Sequence, residues 1–270
     1  MLKILHEDEA ILVLNKPAGL VCHPSKQDAL SSLVGRARLY LGEGKPVHMV
    51  NRIDRETSGI VVVAKSKDAA SELGRLFERR MIRKSYVAIV HGTVAATEGL
   101  IERPLGKDVT SAVAIKDCVR DDGATAVTRY RLLSTWEASR RSLAAGHLEI
   151  LRAAEALGIQ AAEGFDWEGW SRSIEGSCFS CLAVDPLSGR KHQIRIHLAS
   201  IGHPIVGDKL YGFDEQYYLD FVLGRLKVDA WKRLMLPFHA LHADRIAFEW
   251  RGQSWQFGAP EESWLANFHP

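Results

Sequence analysis

Cysteine is scarce in this chain: four in 270 residues, Cys22, Cys118, Cys178 and Cys181, too few and too scattered for a disulfide framework. Two of them spell Cys178-Phe179-Ser180-Cys181, but that run alternates as a strand does, and positions i and i+3 of a strand face opposite sides. No metal is expected there, nor at His239 and His242, which share the spacing and lack a second ligand pair at zinc-finger distance. No apolar run approaches the ~18 residues of a membrane span, and no basic start with a long apolar core marks a leader. Charge of one sign is not in excess: 35 basic residues face 33 acidic ones, a net +2 that by itself announces no polyanionic partner. Repeats, low-complexity stretches and flexible linkers are missing as well. These absences leave a globular chain, 46% hydrophobic and 25% charged, near the upper size for a single core. One domain over residues 1–270 and a cytoplasmic location are the resulting expectations.

The charge is uneven locally. Between Gly74 and Gly92 five basic residues, Arg75, Arg79, Arg80, Arg83 and Lys84, face the single acid Glu78. Between Gly189 and Gly212, Arg190, Lys191, Arg195 and Lys209 face only Asp208. Basic runs are usually solvated faces, but both of these flank strings with chemical character, which favours a groove that follows phosphates.

One such string is Asn51-Arg52-Ile53-Asp54-Arg55-Glu56-Thr57-Ser58-Gly59, with a carboxylate between two arginines just before the apolar run at residues 60–64. A cation within a few Å favours the ionised carboxylate, whereas burial against Ile53 and Ile60 opposes it. At about 4 Å and an effective dielectric near 20, such a pair is worth roughly 4 kcal/mol before desolvation is subtracted. Asp54 is thus expected to be ionised at neutral pH, ready to act as nucleophile or base. Thr57-Ser58-Gly59 reads as a tight turn ahead of the strand.

Periodicity places short strands at residues 10–14, 20–22, 47–50, 60–64, 85–91, 125–133, 177–184 and 241–250, and helices at 67–79, 191–201 and 261–268. Strands outnumber helices and short turns join them, which predicts the α+β class: a mixed, largely antiparallel central sheet with flanking helices. Residues 137–176 interrupt the pattern and read as an insertion. Its first part, through Leu157, has a helical apolar stripe, and its second carries Trp167 and Trp170 in a glycine-punctuated loop. In the helix at 191–201, Lys191, Arg195 and Ala199 lie one turn apart, so Arg195 can project into a cleft.

Three strings in order resemble those of the RluA family of pseudouridine synthases. They are the Asn51 string, similar to the family's HRLDxxTSG; Arg83-Lys84-Ser85-Tyr86-Val87-Ala88-Ile89-Val90-His91-Gly92; and Gly189-Arg190-Lys191-His192-Gln193-Ile194-Arg195-Ile196-His197 with its continuation to Asp208, Tyr211 and Gly212. Asn15-Lys16-Pro17-Ala18-Gly19 and Leu241-His242-Ala243 match flanking patterns. The resemblance implies the pseudouridine synthase catalytic fold and an enzyme that isomerises uridine in ribosomal or transfer RNA, with Asp54 as the catalytic aspartate. It implies that Arg195 pairs with Asp54 and that Tyr86 stacks on the target uracil and takes part in the C5 proton transfer. Arg52 would enter the space left by the flipped nucleotide, while Arg83, Lys84, Arg190, Lys191 and His192 bind RNA around it. No metal, organic cofactor or protein partner is implied, and a monomer is expected.

Two positions depart from the pattern: Asn51 stands for the usual histidine and Ile53 for the usual leucine. No room is expected ahead of Leu12 for the small N-terminal RNA-binding domain of many relatives, so the insertion is the candidate substrate-selecting element. Two other readings stay open. One is a catalytically silent RNA-binding protein on the same fold. The other is a carboxylate-dependent hydrolase acting at ribose C1′, which would ordinarily need a second carboxylate about 5 to 9.5 Å away; Glu56 is the only acid near Asp54 in sequence.

Overall fold

The computed structural model describes residues 2–23, 29–42, 44–138 and 167–268. In chain order the strands are β1 (Lys3–Glu7), β2 (Ile11–Lys16), β3 (His48–Met49), β4 (Ser58–Ala64), β5 (Arg83–His91), β6 (Glu98–Glu102), β7 (Leu105–Lys107), β8 (Asp117–Val119), β9 (Val127–Glu137), β10 (Cys178–Pro186), β11 (Leu241–Trp250) and β12 (Gln253–Gly258). The helices are α1 (Leu33–Leu41), α2 (Lys67–Glu78), α3 (Trp167–Ile174), α4 (Gln193–Ser200), α5 (Gln216–Val222), α6 (Val228–Leu234) and α7 (Ser263–Ala266). The expected α+β class is what forms. None of the described helices is long and apolar enough to cross a membrane.

The chain forms two compact units, Met1–Tyr86 with Leu241–Glu261, and Val87–Ala240 with Glu262–Pro270. In the first, the strand order is β1-β2-β4-β11, with β12 on β11 and β3 on β4. Only the β4–β11 pairing, His242 to Ser58 and Ala243 to Gly59, is parallel among those described in this unit. Every residue of β2 and β4 is buried. Such strands read as continuous apolar runs because both faces are covered. Ile11, Val13, Ile60 and Val62 pack with Ala69 and Leu73 of α2 and with Ile246, Phe248 and Trp250 of β11. Leu12, Leu14, Val61 and Val63 pack instead with Leu33, Val34 and Ala37 of α1. Both helices are capped by serine: the Ser32 hydroxyl accepts from Gly35 N and the Ser66 hydroxyl from Ala69 N.

Gly59 lies inside β4 and not in a turn before it. Its φ is +110°, and a Cβ there would stand 2.3 Å from the Ala243 carbonyl oxygen. The glycine is required by the approach of β11, a tertiary cause that the Thr57-Ser58-Gly59 string does not carry.

In the second unit β5, β10, β9 and β6 lie in that order, and β7 and β8 form a separate ribbon. Strand β10 pairs antiparallel with β9, with an irregularity between Cys181 and Leu182. Strand β9 runs on to Glu137, where the insertion was expected to open as a helix; the remainder of that predicted helix, residues 139–157, lies outside the described residues, as do residues 158–166. The expected loop around Trp167 and Trp170 is instead helix α3. Ser171 and Ile174, three apart, are buried. Gly169 weakens this helix by about 1 kcal/mol, less than the roughly 1.5–3 kcal/mol returned by burying Ile174.

Candidate active site

The Asp54 loop hangs from one edge of β4. On that edge β11 pairs with Ser58 and Gly59, and β3 with Val63 and Ala64. Val50 N continues the ladder to Val62 O (2.9 Å), and there the backbone of the loop departs. The Asn51 side chain takes over: Nδ2 donates to Ile60 O (3.2 Å) and Oδ1 accepts from Val62 N (2.8 Å). One amide group reproduces the donor and acceptor of a strand neighbour, and the chain is free to turn outward as Arg52-Ile53-Asp54. The substitution of asparagine for histidine therefore has a defined local consequence, which the sequence comparison alone did not show.

The far side of the loop is fixed by the turn that follows β2. Lys16 is wholly buried, and its Nζ donates to Pro17 O (2.8 Å), Leu20 O (2.8 Å) and Arg55 O (3.0 Å). The Cys22 thiol donates to Ile53 O (3.4 Å), Arg55 Nε to Gly19 O (3.1 Å), and Thr57 N to Asp54 O (3.2 Å). The Asn15-Lys16-Pro17-Ala18-Gly19 string is thus the clamp of the loop. Asp54 is half-buried and Arg52 exposed.

Tyr86, on β5, is half-buried. Burial pushes its phenol well above the ordinary tyrosine value, and the Asp54 carboxylate and Cys22 add to the rise. It is a neutral hydroxyl, within the field of Asp54. Burial raises the Cys22 thiol too, with Lys16, Arg52 and Asp54 all acting on it. Of the neighbouring predicted RNA-binding residues, Arg83 is exposed, whereas the Lys84 ammonium lies over the Phe77 ring (5.8 Å to the centroid) with its pKa lowered by burial.

In the second unit, the third string builds a bonded corner. Gln193 accepts at Oε1 from Ser188 Oγ (2.8 Å) and Arg190 N (3.0 Å), and donates from Nε2 to Val127 O (2.9 Å) and Thr128 Oγ1 (3.0 Å). It pins the approach to α4 onto β9, a role that no charge or periodicity signal gave. His192 takes a left-handed conformation, φ 55°, with Nδ1 2.8 Å from the Tyr211 hydroxyl. Arg190 and Lys191 are exposed; Arg190 Nε donates to Thr125 O, and Lys191 pairs with Asp117 (2.9 Å).

Arg195 is buried and meets Asp208 through two bonds, Nε to Oδ2 (2.7 Å) and Nη2 to Oδ1 (2.9 Å), with the Tyr211 ring 4.9 Å from its guanidinium carbon. Burial works to raise the Asp208 carboxyl, but Arg195 outweighs it and holds the group below the usual carboxylate range. Lys209 is also buried, donating to Pro237 O (2.7 Å) and facing the Phe221 and Trp231 rings. The second basic stretch thus offers fewer surface cations than its composition suggested: of its four, Arg195 and Lys209 lie inside.

A clamped loop thus carries an acid whose charge is felt by a neutral tyrosine, and comparison with known proteins gives the class. The family model for RNA pseudouridylate synthase matches residues 10–200, and the chain belongs to that family. It is 32% identical over 213 residues to the dual-specificity RNA pseudouridine synthase RluA of Yersinia pestis, covering 78% of this chain and 82% of that one. It is also 32% identical over 214 residues to the RNA pseudouridine synthase YhcT of Bacillus subtilis, covering 78% of this chain and 58% of the relative. Of the ribosomal large subunit pseudouridine synthase D of Nitrosomonas europaea, 31% identical, the match spans half the length. The fold is shared with human RNA pseudouridylate synthase domain containing 1: TM-score 0.66 at 22% identity, over 97% of this chain and 84% of that one.

Proposed function

We propose that this protein isomerises uridine in RNA to pseudouridine, with Asp54 as the catalytic carboxylate. The observation that carries the reading is the loop itself, tied at Asn51, Ile53, Asp54 and Arg55 so that a half-buried carboxylate acts on a neutral Tyr86, in a chain of this family.

The reaction breaks the bond from ribose C1′ to uracil N1, turns the base while it is held and joins C1′ to C5; C5 gives up its proton and N1 ends carrying one. Substrate and product have the same composition, so the step needs no oxidant, reductant or co-reactant. Asp54 acts at the ribose as nucleophile or base. Tyr86 stacks on the uracil, an interaction worth roughly 1–3 kcal/mol per base, and its hydroxyl serves the C5 proton transfer. Arg52 fills the space of the extruded nucleotide, whose flipping costs a few kcal/mol. Arg195 is the cation assigned to orient Asp54, in a single catalytic domain over residues 1–270. Arg83, Lys84, Arg190, Lys191 and His192 contact the RNA around the target. The substrate is ribosomal or transfer RNA, met in the cytoplasm by a monomer that takes no metal or organic cofactor; the likeness to a dual-specificity RNA pseudouridine synthase and to a ribosomal large subunit synthase supports the RNA class.

The test is carbodiimide mapping of pseudouridine in total RNA from cells with and without the gene, rescued by wild type or Asp54→Asn. A site lost on deletion and restored by wild type alone supports the reading. Restoration by Asp54→Asn removes the carboxylate from the chemistry. Release of free uracil favours the hydrolase. Tyr86→Phe keeps the stacking ring and should bind RNA normally while turning over more slowly.

A further inference from the structure

The turn between α2 and β5 holds an arginine where glycine is the usual residue. Arg79 N donates to Arg75 O (2.9 Å), Arg80 N to Phe77 O (3.1 Å) and Met81 N to Leu76 O (2.9 Å). These bonds form a Schellman turn, whose left-handed position is commonly glycine because it lacks a Cβ. Here that position is Arg80, with φ 57°. Sterics disfavour the placement, and so does the i,i+4 spacing of Arg75 and Arg79, a like-charge neighbourhood on the helix.

Arg79, Arg80 and Arg83 are all exposed, and among the described residues their side chains make no hydrogen bond or ion pair. Elsewhere Arg120, Arg195, Arg225, Arg245 and Arg251 each meet a carboxylate. Glu78, the only acid between Gly74 and Gly92, forms no ion pair among the described residues. Complementing the negative end of the α2 dipole accounts for Arg79 but not for Arg83, which opens β5, nor for a side chain at the left-handed position. Arg83 lies three residues before Tyr86 on the same strand, about 10 Å at the usual strand rise and on the opposite face, so it can reach only the backbone of neighbouring nucleotides.

We infer that Arg79, Arg80 and Arg83 form a phosphate-gripping turn that holds the RNA backbone a few nucleotides from the target uridine. The inference rests on the reading of Asp54 and Tyr86 as an RNA site, and goes beyond it in assigning Arg79 and Arg80 and in explaining the strained turn.

The test titrates a fluorescently labelled RNA hairpin with uridines in its loop against full-length wild type, Arg80→Gly and Arg79→Gln/Arg83→Gln, over a range of salt. Each lost phosphate contact should lower the slope of log affinity against log salt by about 0.7–0.9, and so weaken binding about fivefold to eightfold at ~0.1 M salt. Arg80→Gly removes the strained Cβ, so its melting temperature should hold or rise while its RNA affinity falls. An arginine kept for the fold would give the opposite pattern. Unchanged affinity and salt slope in Arg80→Gly overturn the inference. Binding of polyglutamate as tight as that of RNA, and equally dependent on Arg80, overturns the nucleic-acid assignment. If wild type binds the hairpin with an Arg80-dependent slope yet converts no uridine, the turn stands and the isomerase reading falls.

Discussion

Replacing Asp208 by asparagine preserves side-chain volume, and the remaining oxygen can still accept from Leu210 N and Tyr211 N, as Oδ1 does now at 2.9 and 3.0 Å. What disappears is the charge opposite Arg195. The two side chains are 8% and 0% exposed, so water cannot take the place of the Asp208 charge. A guanidinium does not deprotonate in a protein. Breaking a buried pair from one side costs about 3–5 kcal/mol, and a Coulomb energy of roughly 4 kcal/mol at 4 Å and an effective dielectric of 20 is of the same size. Against a typical stability of about 5–15 kcal/mol the variant should fold, but weakly. With a urea slope of about 1–3 kcal/mol per molar, the unfolding midpoint should fall by roughly 1–5 M, followed by tryptophan fluorescence. The double variant Arg195→Met/Asp208→Asn removes both charges while keeping an acceptor for Leu210 N and Tyr211 N, and should regain most of that loss. The Asp208 carboxyl has a depressed folded pKa. Its contribution is therefore complete above the unfolded carboxylate value of about 3.9 and lost as the pH falls below it. Wild type and Asp208→Asn should converge in acid. A midpoint for Asp208→Asn equal to wild type at pH 7 would refute the assignment of the pair as a buried anchor of α4.

Asn51→Ala leaves Ile60 O and Val62 N without their side-chain partner, at a cost of about 1–3 kcal/mol. Amide exchange at Val62 should speed up and kcat should drop with RNA affinity little changed; unchanged exchange would remove Asn51 from the loop support. His91, among Phe179 and Phe213, has its pKa lowered by burial to about 4. Because the unfolded histidine titrates near 6.5, stability should decline as the pH falls from ~6.5 to ~4, by up to roughly 3 kcal/mol. His91→Phe should flatten that part of the pH–stability curve, and a wild-type curve no steeper than the variant's would show that the imidazole is not held neutral.

Periodicity was enough to locate β4, β5, β10, β11 and α4, because each sets an apolar pattern against a covered face. The α+β class follows from their order. Helix α1 had no assigned element: Leu33, Val34 and Ala37 face the sheet while Gly35 and Arg36 interrupt the stripe, and the cap from Ser32 is visible only once the neighbouring turn is known. Gly59 and Lys209 were misread for a shared reason. Each answers to a segment far along the chain, Ala243 for the glycine and Pro237 with Phe221 and Trp231 for the lysine. The order of motifs made Asp54, Tyr86 and Arg195 legible as candidates. It did not reveal their supports, since Asn51, Lys16, Gln193 and Asp208 act through single directed bonds that leave no periodic trace.

Lys16 gives the site a mechanical character. Three N–H groups of one ammonium reach three carbonyls, two in the turn after β2 and one beside Asp54, so the turn and the loop are coupled at a single atom. A planar guanidinium cannot offer that tripod from the same volume, and a neutral amide has too few donors. In any rearrangement of the site, the acidic loop and its supporting turn must travel together or stay still. In the proposed reaction, accommodation of differently shaped substrates then falls to the surroundings, and Asp54 is a fixed point against which the base would be turned.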